Sequence, residues 1–353
     1  MIKYFIKIPL IILFSFASVH LIGQNWYMGN THAHTKICGH ADSSPDVVTK
    51  WYHDHGYNFL ILSEHNHFID PDTVQLPPNK RDDFILIPGE EVTGSKKIHT
   101  TAMNIEHIVS WDFNHEQKAM IIQNHVNGTN SAGGYAILNH PNYKYAVSVN
   151  DILPVNNLYL FELFNGHPAV NNGGDSLNMS TEAMWDVLLT QGYRIYGVSS
   201  DDAHYFENIG RDISNPGKGW VMVNAPQLDA MHITQAMVEG KFYATNGVIL
   251  NTYDNSSIGT YMVDIDINKT SEIISALNLW GKCVIQGEPG FRVEFIGPNG
   301  EIISSVNTTK AAFNSTKHYK YIRAKIVYTV VDNTAECTVR EYYAWVQPVF
   351  SSP

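Results

Sequence analysis

Residues 29–42 read GNTHAHTKICGHAD, which places His32, His34 and His40 within nine positions. Neighbouring imidazoles repel once protonated, and neutral ones need partners when buried, so such a cluster implies a shared use. His32 and His34 flank one residue; on an extended segment both side chains point to one face and can grip one ion. Asp202 and His204 repeat that spacing in VSSDDAH. Between the two pairs, short apolar runs end in the same residue types. YNFLILSEH delivers His65, FILIPGEE delivers Glu90 and Glu91, YAILNHP delivers His140, and YRIYGVSSDDAH delivers Asp201, Asp202 and His204. Imidazole and carboxylate together are the donor set of divalent metal sites. In parallel α/β folds, active sites assemble where strands end.

The runs at 57–64, 84–91, 135–140, 158–164 and 193–200 read as buried strands. A helix is predicted over 45–55, with Ser44 as N-cap, Pro45 at the first helical position and Gly56 beyond the end. Others fall near 115–126, 180–191 and 229–239, the last closed by Gly240. Strands alternating with helices imply parallel pairing through right-handed crossovers, hence an α/β barrel or open sheet. From about residue 250 the pattern changes. YMVDIDI, FRVEFIG and YIRAKIVYTVV alternate with period two, and GPNGE forms a turn, so 260–350 reads as an antiparallel β-sandwich joined by a short junction at 248–258.

A chain of 353 residues exceeds what one compact core usually spans, so two domains are expected, 24–250 and 251–353. With 44% hydrophobic and 16% charged residues the composition is that of an ordinary globular protein. A net charge of −11 and the absence of any basic run argue against a nucleic-acid-binding patch. Residues 1–23 begin with Lys3 and Lys7 and continue through an apolar run, the pattern of a secretory signal peptide. The run is short for a spanning helix, so no stable membrane span is expected after its removal, and the mature protein is placed outside the cytoplasm, secreted or periplasmic. Of the three cysteines, Cys283 and Cys337 could form one disulfide, while Cys38 lies in the histidine cluster. Fourteen of seventeen histidines fall between 32 and 204, so the chemistry belongs to the first domain. Oligomeric state is not addressed by the sequence.

The ordered motifs NTHAHT, GYNFLILSEHN, IPGEEVT, KIHTTAMNI, AILNHP, FELFNG and GVSSDDAH resemble the PHP family, the polymerase and histidinol phosphatase superfamily of metal-dependent phosphoesterases, over roughly 26–250. GKGWVMV and GKFYATNGVIL are similar to its secreted branch, and YYAWVQPVF to β-sandwich extensions carried by such members. The resemblance implies a distorted β/α, TIM-like barrel with a centre of two to three divalent ions: zinc, manganese or iron. It implies His32, His34 and Asp202 on the first ion, Glu91 bridging first and second, and His99 and His140 completing the second. The third takes His65 and His204 with the residue near position 40. Many members place an aspartate there; aligning on residues 42–46 puts His40 in its place, aligning on HAHT puts Gly39 there, and Asp42 is the fallback. Glycine has no ligand atom, so His40 is preferred, and three neutral imidazoles suit zinc.

Glu90 is the alternative bridging residue if the turn shifts by one. His67 is a candidate pocket histidine that protonates a leaving group, with Glu91 and His204 as the other catalytic candidates. His53, His55, His107, His115 and His125 read as structural or solvated, and Lys36, Arg211 and Lys218 as solvated cations. The chain is therefore expected to hydrolyse a small-molecule or oligomeric phosphate ester by metal-activated water. The competing readings are a carbamate or amide hydrolase on the same centre and a non-catalytic glycan-binding module with structural metals. No G-x-S-x-G elbow or phosphate-binding P-loop is present.

Overall fold

The computed structural model describes residues 25–76, 82–110, 114–257, 260–315, 317–334 and 337–351; the expected signal peptide, 1–23, lies outside them. The first part of the chain runs β1 (Asn25–Ala33), α1 (Pro45–Asp54), β2 (Phe59–Leu62), β3 (Ile85–Leu86), β4 (Gly89–Thr93), β5 (His99–Met103), α2 (Lys118–Ser131), β6 (Tyr135–Leu138), α3 (Val149–Ile152), β7 (Leu160–Asn165), α4 (Thr181–Thr190), β8 (Tyr196–Ser200), β9 (Trp220–Ala225), α5 (Ala230–Val238) and β10 (Phe242–Thr245). The remainder comprises β11 (Leu250–Ser257), β12 (Thr260–Ile265), α6 (Ile267–Ala276), β13 (Lys282–Cys283), β14 (Gly290–Ile296), β15 (Ile302–Val306), β16 (Lys310–Asn314), β17 (Tyr321–Thr334) and β18 (Cys337–Phe350).

Local signals explain the helix limits. Pro45 opens α1 and Gly56 follows it in the left-handed region at φ 80°, although the Ser44 side chain makes no capping bond. Ser180 accepts from the Ala183 N–H at α4, and Asp229 from the His232 N–H at α5. The expected helix at 115–126 begins three residues later and runs to Ser131. FILIPGEE, read as one strand, is two strands in different sheets. Pro88 has no N–H to donate and breaks the ladder between β3 and β4. The sandwich region also contains α6, which the alternation over 260–350 did not suggest; Asp266 caps it by accepting from the Lys269 N–H.

The strands form three sheets. One is ordered β4-β5-β6-β7-β8, and its first two pairings are antiparallel, its last two parallel. The long sheet runs β15-β14-β17-β18-β10-β9-β1-β2-β3, parallel only at β1–β2 and β2–β3. The third is β11-β12-β16. A distorted β/α, TIM-like barrel was the expectation; the mixed α/β character is present, but these ladders form no closed barrel, since β5, β9 and β10 pair antiparallel and the arrangement is strand-rich. Two isolated parallel bridges link the first two sheets, Ala33 to Ala203 and His65 to Glu91. The apolar faces of these sheets meet in a core that includes Phe59, Ile61, Met103, Ile137, Leu160, Val198, Val221 and Phe242.

The long sheet continues across residue 250, because β10 pairs with β18 through Tyr243–Val346 and Thr245–Ala344. The third sheet covers its far end over Tyr261, Val263, Phe295, Ile322, Ile326 and Val346. Buried Arg323 on β17 reaches back to α4, with Nη2 2.6 Å from Asp186 Oδ2 and 3.1 Å from Glu182 Oε1. Cys283 and Cys337 form a disulfide and Cys38 is free. Among the described residues, no helix is long and apolar enough to cross a membrane.

Candidate metal centre

The bridge between Ala33 and Ala203 builds the first part of the site. Ala33 separates His32 from His34 and Ala203 separates Asp202 from His204, so pairing the alanines lays the two spaced pairs side by side. The His34 N–H donates to the Ala203 carbonyl and the Asp202 N–H to the His32 carbonyl, both at 2.9 Å. The second bridge does the same across the cleft. The Asn66 N–H donates to the Glu91 carbonyl and the Glu91 N–H to the Glu64 carbonyl, also at 2.9 Å, which sets His65 beside Glu91.

Four donors then face one another in the interior. His32 Nε2 lies 3.1 Å from His34 Nε2, 3.3 Å from Glu91 Oε1 and 3.4 Å from Asp202 Oδ1. His34 Nε2 lies 3.3 Å from Asp202 Oδ1 and 3.6 Å from Glu91 Oε2. Ligands at about 2.05 Å from a tetrahedral centre are separated by roughly 3.3 Å, so these spacings fit one divalent ion such as zinc. Around the other side of Glu91, Oε1 is 3.2 Å from both His99 Nδ1 and His140 Nε2, and Oε2 is 2.7 Å from His65 Nδ1. The carboxylate thus stands between two groups of imidazoles. Ligand atoms of His34, His65 and His204 come within 4.8 Å of one another, as do those of Cys38, His40 and His204.

The electrostatics agree with a cation-binding role. Burial pushes the Glu91 carboxyl up, but His99, His32 and His65 outweigh it and hold it well below the usual carboxylate range. Asp202 is depressed in the same way by His32, His34 and His204 against its own burial. Two Nε2 atoms 3.1 Å apart cannot both carry protons. Burial disfavours charge on His32, yet Asp202, Glu162 and Glu91 raise its pKa, while burial and His204 keep His34 neutral. Burial lowers His204 to about 4, so its ring is a free donor at neutral pH.

The structure brings together His32, His34, His40, His65, Glu91, His99, His140, Asp202 and His204. His40 is exposed but its ring lies 4.8 Å from that of His204 and 5.2 Å from that of His65. Asp42 is committed elsewhere, accepting from the Phe206 and Glu207 backbone. Glu90, on the opposite face of β4 from Glu91, accepts from the Val109 N–H; burial raises its pKa to about 7. His67 is exposed and is not among the residues lining the cleft. His125 is buried in the core against Thr100. Lys218 turns its ammonium to the carbonyls of Arg211 and Ile213.

Glu162, Tyr143, His167 and Tyr205 were not singled out from the sequence, and Asp201, read there as a strand-end donor, serves instead to hold backbone. Glu162 in FELFNG holds His32 Nδ1 at 2.8 Å through Oε1 and accepts the His140 N–H at 2.6 Å through Oε2. A carboxylate inside an apolar strand was the available signal. Asp201 accepts from Asn30 Nδ2, Tyr52 OH and the N–H groups of Gly217, Lys218 and Gly219, and its burial raises it to about 6. Asp202 and His140 adopt left-handed backbone, at φ 51° and 26°, a strain found where structure around a site enforces it. The cleft above the centre, about 210 Å³, adds Tyr143, His167 and Tyr205 to the imidazoles.

No protein-family model matches the sequence, and no curated protein matches it. Among solved structures, the chain is similar to a two-domain protein containing a predicted PHP-like metal-dependent phosphoesterase from Bacteroides vulgatus ATCC 8482, at 11% identity and a TM-score of 0.45, covering 91% of this chain and 95% of that one. It is also similar to a candidate metal-dependent phosphoesterase from Bifidobacterium adolescentis ATCC 15703, at 11% identity and a TM-score of 0.33, over 53% of this chain and 89% of that one. Neither overlap is close enough to carry a functional assignment, which rests on the side chains of this chain.

Proposed function

We propose that the chain is a secreted metal-dependent phosphoesterase of the PHP type, acting in the cleft over Glu91. The observation that carries this reading is the four-donor cage of His32, His34, Glu91 and Asp202, with His99, His140 and His65 on the other side of the shared carboxylate. We read the first two sheets, linked at Ala33–Ala203 and His65–Glu91, as the family's distorted barrel. Two to three divalent ions, zinc, manganese or iron, would be held there, with His65, His204 and His40 serving the outermost. When bound, such ions lower the pKa of a water and neutralise the oxygens of a phosphate ester.

The chain's own groups do the rest. Glu162 fixes the His32 tautomer, leaving Nε2 as the donor atom. Asp201 ties the 217–219 backbone and so positions Asp202. The Ala169 N–H donates to His167 Nδ1 at 3.1 Å, which leaves the proton of a neutral ring on Nε2. His167, at the wall of the cleft, thereby presents an N–H that can hydrogen-bond to the leaving oxygen, with burial holding the ring neutral. His167 also lines an adjoining groove of about 480 Å³ with Trp280 and Lys282, where the rest of the substrate would extend toward the second half of the chain. The second reading, carbamate or amide hydrolysis, is favoured by one observation: the residues lining the cleft include neither Lys nor Arg.

Elemental analysis with hydrolysis of p-nitrophenyl phosphate and bis-p-nitrophenyl phosphate, with and without chelator, tests the proposal. Two or three ions per chain and chelator-sensitive turnover are expected. Bound metal without phosphatase activity transfers the assignment to the amide or carbamate class, and absence of metal after reconstitution refutes both.

A further inference from the structure

The turn between β1 and α1 carries a free thiol, Cys38, that the assignments above do not use; the chain's other two cysteines are bonded to each other. One ligand atom from each of Cys38, His40 and His204 lies within 4.8 Å of the others, and the same holds for Cys38, His34 and Glu64. Cys38 stands where the two groups meet. An independent observation comes from Glu64, which is fully buried. Its Oε1 accepts from the Thr35 N–H at 2.5 Å, while Oε2 has no hydrogen-bond partner. A buried carboxylate oxygen without a donor is costly, and a cation is the simplest group to satisfy it.

We propose that Cys38 Sγ is a ligand of the outermost ion, together with His40 and His204, with the Glu64 carboxylate facing the same sulfur. This rests on the proposed metal centre and gives its third position a chemistry of its own. A thiolate and a carboxylate balance a divalent charge, and the soft sulfur selects zinc over manganese where the Glu91 sites carry only nitrogen and oxygen. On binding, the S–H bond breaks, its proton leaves to solvent, and the sulfur–metal bond forms; no electron is transferred.

Cobalt(II) loaded into the full chain is the probe. A thiolate-to-cobalt absorption band in the near ultraviolet is expected, and Cys38→Ser should abolish it while the cobalt of the Glu91 sites stays bound. As the only free thiol, Cys38 can also be timed with an aromatic disulfide reagent; bound metal should slow that reaction roughly tenfold or more, and chelator should restore it. Cobalt bound without the band, the band persisting in Cys38→Ser, or equal thiol rates with and without metal would each overturn the assignment. Failure of the chain to bind any cobalt would overturn this inference and the proposed centre together, and elemental analysis tells the two cases apart.

Discussion

Replacing Glu162 by glutamine perturbs the metal centre through a residue that does not itself reach the ions. All four partners of its carboxylate are donors: His32 Nδ1 at 2.8 Å and the Ser200 hydroxyl on Oε1, the His140 N–H at 2.6 Å and Asn165 Nδ2 at 2.8 Å on Oε2. Glutamine keeps the shape but offers one oxygen and one NH2. With the oxygen toward His32, the NH2 confronts the His140 N–H. Turned round, it confronts His32 Nδ1, and the tautomer that presents Nε2 to the cage loses its support. Either way at least one buried donor is left unsatisfied, at about 1–3 kcal/mol. At 1.4 kcal/mol per tenfold, that weakens metal affinity by roughly 5- to 150-fold, in line with the effect of carboxylates behind metal-binding histidines. Titrating the metal-free protein with zinc against a competing chromophoric chelator measures it, with circular dichroism confirming the fold. Affinity within about twofold of wild type would refute the coupling of Glu162 to the centre.

Three further outcomes are expected. Desolvation, reinforced by His99, lowers the His125 pKa from 6.5 to about 3, so the unfolded chain binds the extra proton and stability falls as pH drops through 6.5. The loss is about 2 kcal/mol between pH 8 and pH 5; urea unfolding in chelator should show His125→Gln freed of that slope, and parallel slopes would contradict the burial argument. Arg323→Met strands Asp186 and Glu182 and should cost about 3–5 kcal/mol in urea unfolding, much of it regained by adding Asp186→Leu. A single variant as stable as wild type would mean the pair contributes nothing. His67→Ala should leave metal content and turnover within about twofold of wild type, because the side chain is exposed and outside the cleft lining; a tenfold fall in turnover would put His67 at the reaction after all.

The limits of α1, α4 and α5 were legible because they are written locally, in Pro45, Gly56, Ser180 and Asp229, whereas α2 has no side-chain cap and was placed three residues early. Strand number and pairing were not. One proline inside FILIPGEE decides that an apolar run serves two sheets, and a period-two reading passes over it. α6 carries local signals of its own, Asp266 at the cap and Ile267, Ile273 and Ile274 along one face, and a period-two reading of 260–350 passes over them. The joining of the first two sheets depends on the bridges at Ala33–Ala203 and His65–Glu91, which pair residues far apart in sequence.

The same distinction runs through the site. Histidines and carboxylates at strand ends announce themselves, because their types are seldom buried without partners. What each one does is set by long-range register. Glu90 and Glu91 are adjacent and chemically equal, yet the pairing of Glu91 with Thr101 and its bridge to His65 turn one toward five imidazoles and leave the other against the Val109 N–H. Asp201 and Asp202 repeat the lesson. The first accepts from five donors and is spent on holding the 217–219 backbone. The second is thereby fixed at a φ of 51°, with its carboxylate toward His32 and His34. The strain at Asp202 persists because Asp201 is over-determined, so the aspartate that touches no candidate ion is the one that aims the aspartate that does.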